Sequence, residues 1–298
     1  MTPRLGFIGL GLMGEPMARN LLKKGFPLTV FDVRPEAIDK LVTAGAKAAS
    51  SPRQVAEQSD VVLTIVPNSS DVERVILGPD GVAAAARPGL VVIEMSTIDP
   101  ATTQRVAGVL ASRGVSMLDA PVGRPSTFAA EAALAFMVGG DRAVLDRCRD
   151  ILMAMGDTIF YCGGSGMGAT MKVVNNLLSI TTLAVTSEAL VLGAKSGLAP
   201  SVMLDVLCRT AADNAHLHMT YPNKALKGDF SPMFMIDLAH KDLSLGMQLG
   251  AAQQVPLALG AAAREMFTAA RTMGRGHLDW TGIMTVLEDI AGTQVRHA

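Results

Sequence analysis

Two groups of residues in this 298-residue chain have types and spacings suited to chemistry. The first is Gly9-x-Gly11-x-x-Gly14, with Leu12 and Met13 between the glycines. A glycine at the first position permits a tight turn. The second lets the backbone approach a pyrophosphate, and the third lets a helix pack closely on a strand. The N–H groups and positive dipole end of that helix then face the phosphates. Three glycines alone are a weak signal. Here they follow a strand and open a helix, and Asp32 lies at the end of the next strand, where a carboxylate accepts hydrogen bonds from ribose hydroxyls. An acidic side chain there repels a 2′-phosphate and favours NAD over NADP, while Arg34, two residues on, is of the type that pairs with such a phosphate. The cofactor expected is NAD, used as NADH.

The second group is Gly166-x-Gly168-x-x-x-Lys172-x-x-Asn175-Asn176-x-x-Ser179. On a helix at about 100° per residue, Lys172, Asn175, Asn176 and Ser179 share roughly 100° of arc. Val173, Val174, Leu177, Leu178 and Ile180 surround them. A polar stripe on an otherwise apolar helix faces something polar, and buried members need partners. Solvated faces carry more charge and fewer asparagines, which are poor helix formers. Two further strand ends, Val66-Pro67-Asn68 and Met95-Ser96-Thr97, fall on the edge of the sheet where cofactors bind. Ser96 and Thr97 are placed either to bond the nicotinamide end or to cap the next helix.

The elements that must position these groups alternate. Residues 4–9, 28–31, 61–66, 90–94, 116–119, 134–138 and 158–161 read as strands, and 15–24 and 35–44 read as helices between the first of them. This predicts an α/β fold: a Rossmann-type, doubly wound parallel sheet over residues 1–163. A long helix over 164–195 carries the lysine. An all-helical domain fills 196–298, with helices at 200–210, 237–253 and 257–274 and an irregular polar segment over 213–234 suited to a lid or interface loop.

Composition narrows the classes. A net charge of −1 and pI near 6.5 lack the basic excess of nucleic-acid binders. Half the residues are apolar but aromatics are only 4%, which suits packed helices and helix–sheet contacts. Cys148, Cys162 and Cys208 are odd in number and widely spaced, so they read as small buried hydrophobes and not as disulfides. His216 and His218 have no sequence-adjacent carboxylate or cysteine, so no metal site is expected. Residues 177–194 are the most membrane-like, yet Ser187 and Glu188 interrupt them. With no signal-peptide pattern at the N-terminus, a cytoplasmic protein without membrane partners is expected.

Phe7-Ile-Gly-Leu-Gly-Leu-Met-Gly14, Asp119-Ala-Pro-Val122, the Gly168–Asn176 stretch, Phe234 and Lys241-Asp242 together resemble the β-hydroxyacid dehydrogenases, the 3-hydroxyisobutyrate dehydrogenase-like family, across essentially the whole chain. The resemblance implies that Lys172 is the acid–base residue, that Asn176 binds and orients substrate, and that Phe234 and Lys241 lie near the cofactor. The chemistry agrees: as hydride reaches an aldehyde carbon, an ammonium stabilises the charge growing on oxygen and delivers the proton. The family pattern after Asp119-Ala-Pro-Val is Ser-Gly-Gly, whereas this chain has Gly123-Arg124-Pro125-Ser126. A guanidinium thus enters a loop that otherwise uses amides and a hydroxyl. The variant resembles family members acting on a sulfonated aldehyde, which implies that Arg124, Asn175 and Ser179, with Gly123 and Ser126 in the loop, hold the substrate's anionic end. A small anionic aldehyde is therefore the expected substrate. A carboxylate-specific dehydrogenase (of 4-hydroxybutyrate, 3-hydroxyisobutyrate or tartronate semialdehyde type) is the alternative. A non-catalytic NAD-binding sensor is the reading from another class. The apolar helix needs cover on most sides, so a homodimer or homotetramer is expected.

Overall fold

The computed structural model describes residues 2–296, and the chain divides after Lys172 into two compact units. The first unit opens with β1 (Leu5–Ile8), α1 (Gly14–Lys23), β2 (Leu28–Phe31), α2 (Pro35–Val42), β3 (Lys47–Ala48), α3 (Pro52–Gln58), β4 (Val61–Thr64) and α4 (Ser69–Leu77). It continues through β5 (Val91–Glu94), α5 (Pro100–Ala111), β6 (Ser116–Asp119), β7 (Val122–Gly123), α6 (Ser126–Ala130), β8 (Leu134–Gly139), α7 (Arg142–Met153) and β9 (Gly156–Gly163). The strands run β3-β2-β1-β4-β5-β6 in parallel register. Chain order reverses between β1 and β4, and such a switch point opens a crevice beyond the carboxyl ends of the strands.

The central strands are buried on both faces, which explains their continuous apolar runs. Leu5, Phe7, Leu63 and Ile93 pack with Met17 and Leu21 of α1. The alternate residues Ile8, Val62 and Val92 pack with Val55 of α3, Ile76 of α4 and Leu110 of α5.

The expected all-parallel sheet changes character at β8. Asp119, Val122 and Gly123 pair with Gly139, Phe136 and Ala135 in one antiparallel register, so β6 and β7 act as a single strand bent at Ala120-Pro121. Only residues 124–133 join β7 to β8, too few for the crossover a parallel pair requires. β9 pairs parallel to β8.

α8 (Met167–Lys195) begins in the first unit and supplies a buried face, Ile180, Leu183, Leu190 and Val191, to the core of the second. By length and composition it could cross a membrane, but this face is that of a core helix. The second unit adds α9 (Pro200–Leu207), α10 (Tyr221–Asn223), α11 (Ile236–Ala252), α12 (Ala258–Thr272) and α13 (Ile283–Ala291). α13 is not among the helices expected from the sequence, although Ile283, Val286 and Leu287 carry its period. The irregular segment holds a π-helical turn, His216–Thr220, and a 3-10 turn, Ala225–Lys227.

Candidate active site

The three loop glycines have separable roles. Gly9 has φ 95°, and a Cβ there would collide with the carbonyl oxygen of Ile65 at the end of β4. A Cβ on Gly14 would strike the carbonyl of Gly9, which is how α1 comes so close to β1. At Gly11 the nearest atom to a built Cβ is Arg34 Nη2 at 4.0 Å, so this backbone faces open space. That is the approach a pyrophosphate needs, and the residues present fit a dinucleotide. Leu12 is exposed and Met13 occupies the N-cap position of α1.

Asp32, at the end of β2, is turned toward this loop. Its Oδ2 accepts the Leu10 N–H at 2.7 Å, and its Oδ1 accepts the Arg34 N–H at 2.9 Å and Arg34 Nε at 3.1 Å. Burial pushes the carboxyl pKa up, but the guanidinium and the two backbone N–H groups outweigh it, so the net shift is downward. Arg34 in turn reaches the Leu10 carbonyl at 3.2 Å. A cavity of ≈ 520 Å³ is lined by Gly11, Leu12, Arg34 and, from α6, Ser126. Ser126 therefore stands beside the nucleotide loop.

At the other strand ends, Asn68 caps α4 by accepting the Asp71 N–H at 3.0 Å. Ser96 is buried, and its hydroxyl accepts the Val66 N–H at 2.8 Å, so it holds the turn that carries Pro67. The helix after Thr97 is capped by Asp99 instead of Ser96 or Thr97.

The N-terminus of α8 is fixed by Asp119, a residue the sequence reading quoted only as part of a motif. Its two carboxylate oxygens accept the N–H groups of Gly166 and Ala169, each at 2.8 Å. Burial raises its pKa despite these donors. A Cβ on Gly168 would collide with the carbonyls of Met137 and Asp119, so the helix lies directly against the sheet there. One further turn along α8 brings Lys172, half-buried. Next come Asn175 and Asn176. Asn175 donates to the Asn176 amide oxygen at 3.0 Å, and Asn176 donates to buried Asp242 at 2.6 Å. Lys241 Nζ stands 3.2 Å from the other Asp242 oxygen, so α11 anchors the asparagine pair. Ser179 lies beside His216, whose Nε2 is 2.9 Å from the Ser179 carbonyl and 3.4 Å from its hydroxyl. Sequence reasoning gave no role to Asp242 or His216. An acidic residue next to the quoted lysine was the available signal for the first.

Gly123 is buried in β7. Arg124 follows with φ 71°, and its guanidinium is engaged by Asp157 of β9, by the Ala133 carbonyl and by the Phe128 ring. Nothing in the sequence pointed to Asp157. Phe234 packs edge-on against Trp280, centroids 5.3 Å apart. Beneath them Asp279, fully buried, accepts the N–H groups of Met233, Phe234 and Thr281.

Two sequence readings need correction. Of the cysteines only Cys148 is buried, and Cys208 lies within 4.8 Å of ligand atoms of both Asp213 and His218. His218 thus has the carboxylate and thiol neighbours that linear proximity did not show, because the turn after α9 brings them together. Arg271 and Arg275, at and just beyond the end of α12, pair with Asp237 and Asp289.

Residues 4–164 match the family model for the NAD binding domain of 6-phosphogluconate dehydrogenase, and 166–287 match that for the NAD-binding domain of NADP-dependent 3-hydroxyisobutyrate dehydrogenase. The chain belongs to the 3-hydroxyisobutyrate dehydrogenase-like family of NAD(P)-dependent β-hydroxyacid dehydrogenases. It is 43% identical to the 3-sulfolactaldehyde reductase of Escherichia coli (strain K12), over 97% of both chains. It is 37% identical to the 2-(hydroxymethyl)glutarate dehydrogenase of Eubacterium barkeri, over 98% of this chain and 97% of that one. Among solved structures, the Mycobacterium tuberculosis 3-hydroxyisobutyrate dehydrogenase with L-serine superposes with a TM-score of 0.89 at 34% identity, over 96% of this chain and 99% of that one. The protein is an oxidoreductase acting on CH–OH groups with NAD(P), which sets aside the sensor reading.

Proposed function

We propose that this enzyme uses NADH to reduce a short aldehyde with a terminal oxyanion, 3-sulfolactaldehyde, to 2,3-dihydroxypropane-1-sulfonate. The observation that carries the reading is the left-handed backbone of Arg124. A non-glycine residue there costs about 1–3 kcal/mol, and the glycine of the family pattern would relieve it. Keeping arginine at that strain gives the loop a planar, multi-donor cation suited to an oxyanion. A sulfonate offers three acceptor oxygens, to be met by Arg124, Asn175 and Ser179 beside Gly123 and Ser126. The 43% identical relative named for this substrate supports the choice.

The dinucleotide supplies the hydride when bound. The amides at Gly9, Gly11, Leu12, Met13 and Gly14 would hold its pyrophosphate and Asp32 its ribose, and Pro67, Asn68, Ser96, Thr97, Phe234 and Lys241 are the residues assigned to its other half. As charge grows on the aldehyde oxygen, the Lys172 ammonium stabilises it and donates the proton. In reverse, the neutral amine accepts the alcohol proton. Asn176, its amide oriented by Asp242, donates its second N–H to the substrate.

Recognition of a carboxylate through the loop amides is the competing reading. The pairing of Arg124 with Asp157 favours it, because the cation is already engaged. Steady-state kinetics with 3-sulfolactaldehyde and succinic semialdehyde side by side, each with NADH and NADPH, decides between them. Arg124→Ala is expected to raise KM for the sulfonate far more than for glyceraldehyde, and an equal effect on both refutes the assignment. Lys172→Ala is expected to lower kcat by about 10²–10⁴-fold with NADH affinity nearly intact. Unchanged turnover would remove the lysine from the mechanism.

The reading includes a homodimer or homotetramer in the cytoplasm, without membrane or nucleic-acid partners. Its support is the stripe of Met171, Val174, Leu178, Val185 and Leu192, exposed along α8 at spacings of three, four and seven. A second copy of the same stripe covers it best.

A further inference from the structure

We propose that Cys208, Asp213 and His218 form a binding site for a thiophilic divalent cation, zinc in particular. Cys208 ends α9 as its C-cap residue. Asp213 lies in the turn that follows, and His218 sits within the π-helical turn His216–Thr220. The thiol sulfur, a carboxylate oxygen and an imidazole nitrogen all lie within 4.8 Å of one another. Tetrahedral bonds of about 2.0–2.3 Å to sulfur, nitrogen and oxygen place such atoms roughly 3.5 Å apart. Reaching that spacing closes the longest separation by no more than about 1.3 Å and opens the Asp213–His218 contact.

Two features give the set direction. His218 Nε2 is 2.6 Å from Asp213 Oδ1, so imidazole and carboxylate already share one side of the turn. The π-helical turn gives His218 its place facing back toward Cys208, and π-type turns recur at functional sites. Donor chemistry selects the ion. Thiolate with imidazole suits zinc, whereas magnesium and calcium need oxygen cages. Three protein donors leave the fourth tetrahedral position for a water molecule, which the exposure of Asp213 and His218 admits. On binding, the Cys208 S–H bond breaks, an S–Zn bond forms and the proton passes to solvent, with no change of oxidation state. The ion ties the end of α9 to the turn that also carries His216, and so fastens the segment packed on Ser179.

Cobalt(II) is the direct probe. Added to the reduced, full-length protein, it is expected to give a thiolate-to-cobalt charge-transfer band saturating at one ion per chain, displaced by zinc. Zinc is also expected to protect one cysteine from a thiol reagent. Cys208→Ser abolishes the band and the protection, while Cys162→Ser leaves both. His218→Gln and Asp213→Asn weaken cobalt binding about tenfold or more. Turnover of Cys208→Ser without metal, equal to wild type, confirms that this variant folds. Absence of the band at tenfold excess of cobalt, or its persistence in Cys208→Ser, overturns the proposal.

Discussion

The Arg124 guanidinium lies against the Asp157 carboxylate, with Nη1 2.8 and 2.9 Å from its two oxygens. The Thr158 hydroxyl first and Arg124 second hold the Asp157 pKa below its ordinary value. Both partners are open to solvent, and pairs of this kind exchange readily for another ligand. An anionic substrate bound as proposed would therefore take Arg124 from Asp157. Asp157→Asn is expected to lower KM for the sulfonated aldehyde about two- to fivefold and to leave KM for glyceraldehyde unchanged. A rise in KM for the sulfonate would mean instead that Asp157 orients the guanidinium for binding.

Asp119 and the first turn of α8 form the support beneath Lys172. Removing the carboxylate leaves the Gly166 and Ala169 N–H groups buried without acceptors. Asp119→Ala should cost about 1–3 kcal/mol in urea unfolding. Because the lysine sits one turn further along the same helix, kcat should fall with it, while the NADH dissociation constant stays within about twofold. A variant with lowered stability but wild-type kcat would show that the helix start is not what places the lysine.

The nucleotide half was legible because its chemistry is local. Gly9, Gly11, Gly14 and Asp32 lie within one strand–helix–strand unit, where a glycine's freedom and a strand's end fix the geometry before any long-range packing. The polar stripe of α8 was legible from helical period alone, but its partners were not. Asp242 meets Asn176 from 66 residues away and His216 meets Ser179 from 37. No spacing rule reaches that far. The antiparallel turn at β8 was hidden for a different reason: its strand is apolar throughout, like its parallel neighbours, and only the short 124–133 connection betrays the direction. Arg124 was legible as a departure from a motif, whereas its strain and its partner on β9 depend on folded geometry.

His216 supplies a pH test of that long-range packing. Nε2 donates to the Ser179 carbonyl, which leaves Nδ1 to accept from Thr220 at 3.1 Å. Burial lowers its pKa, and the bond to Ser179 offsets this only in part. A depressed folded value means that the unfolded chain takes up the proton first. The stability His216 contributes is therefore full above about pH 6.5 and declines as the pH falls from there through the folded value. Urea midpoints measured from pH 8 downward should drop more steeply below about 6.5 for wild type than for His216→Gln. Parallel curves would show that the imidazole titrates alike in both states.

The Asp32 carboxylate braces the glycine loop, and in the proposed reading it also selects the cofactor. With its oxygens on Leu10 and Arg34, a ribose diol has to compete with the guanidinium for the same acceptor, whereas a 2′-phosphate meets a negative charge. Asp32→Asn removes that repulsion and frees Arg34 to pair with the phosphate. The ratio of kcat/KM for NADPH to that for NADH should rise about tenfold or more. In Asp32→Asn combined with Arg34→Ala most of that gain should vanish, because the attractive half of the switch has gone. Asparagine keeps one acceptor oxygen where Asp32 offers two to the Leu10 and Arg34 N–H groups, so the loop loosens for either cofactor and absolute kcat/KM with NADH is expected to fall as well. An unchanged ratio in the single variant would place the ribose away from Asp32.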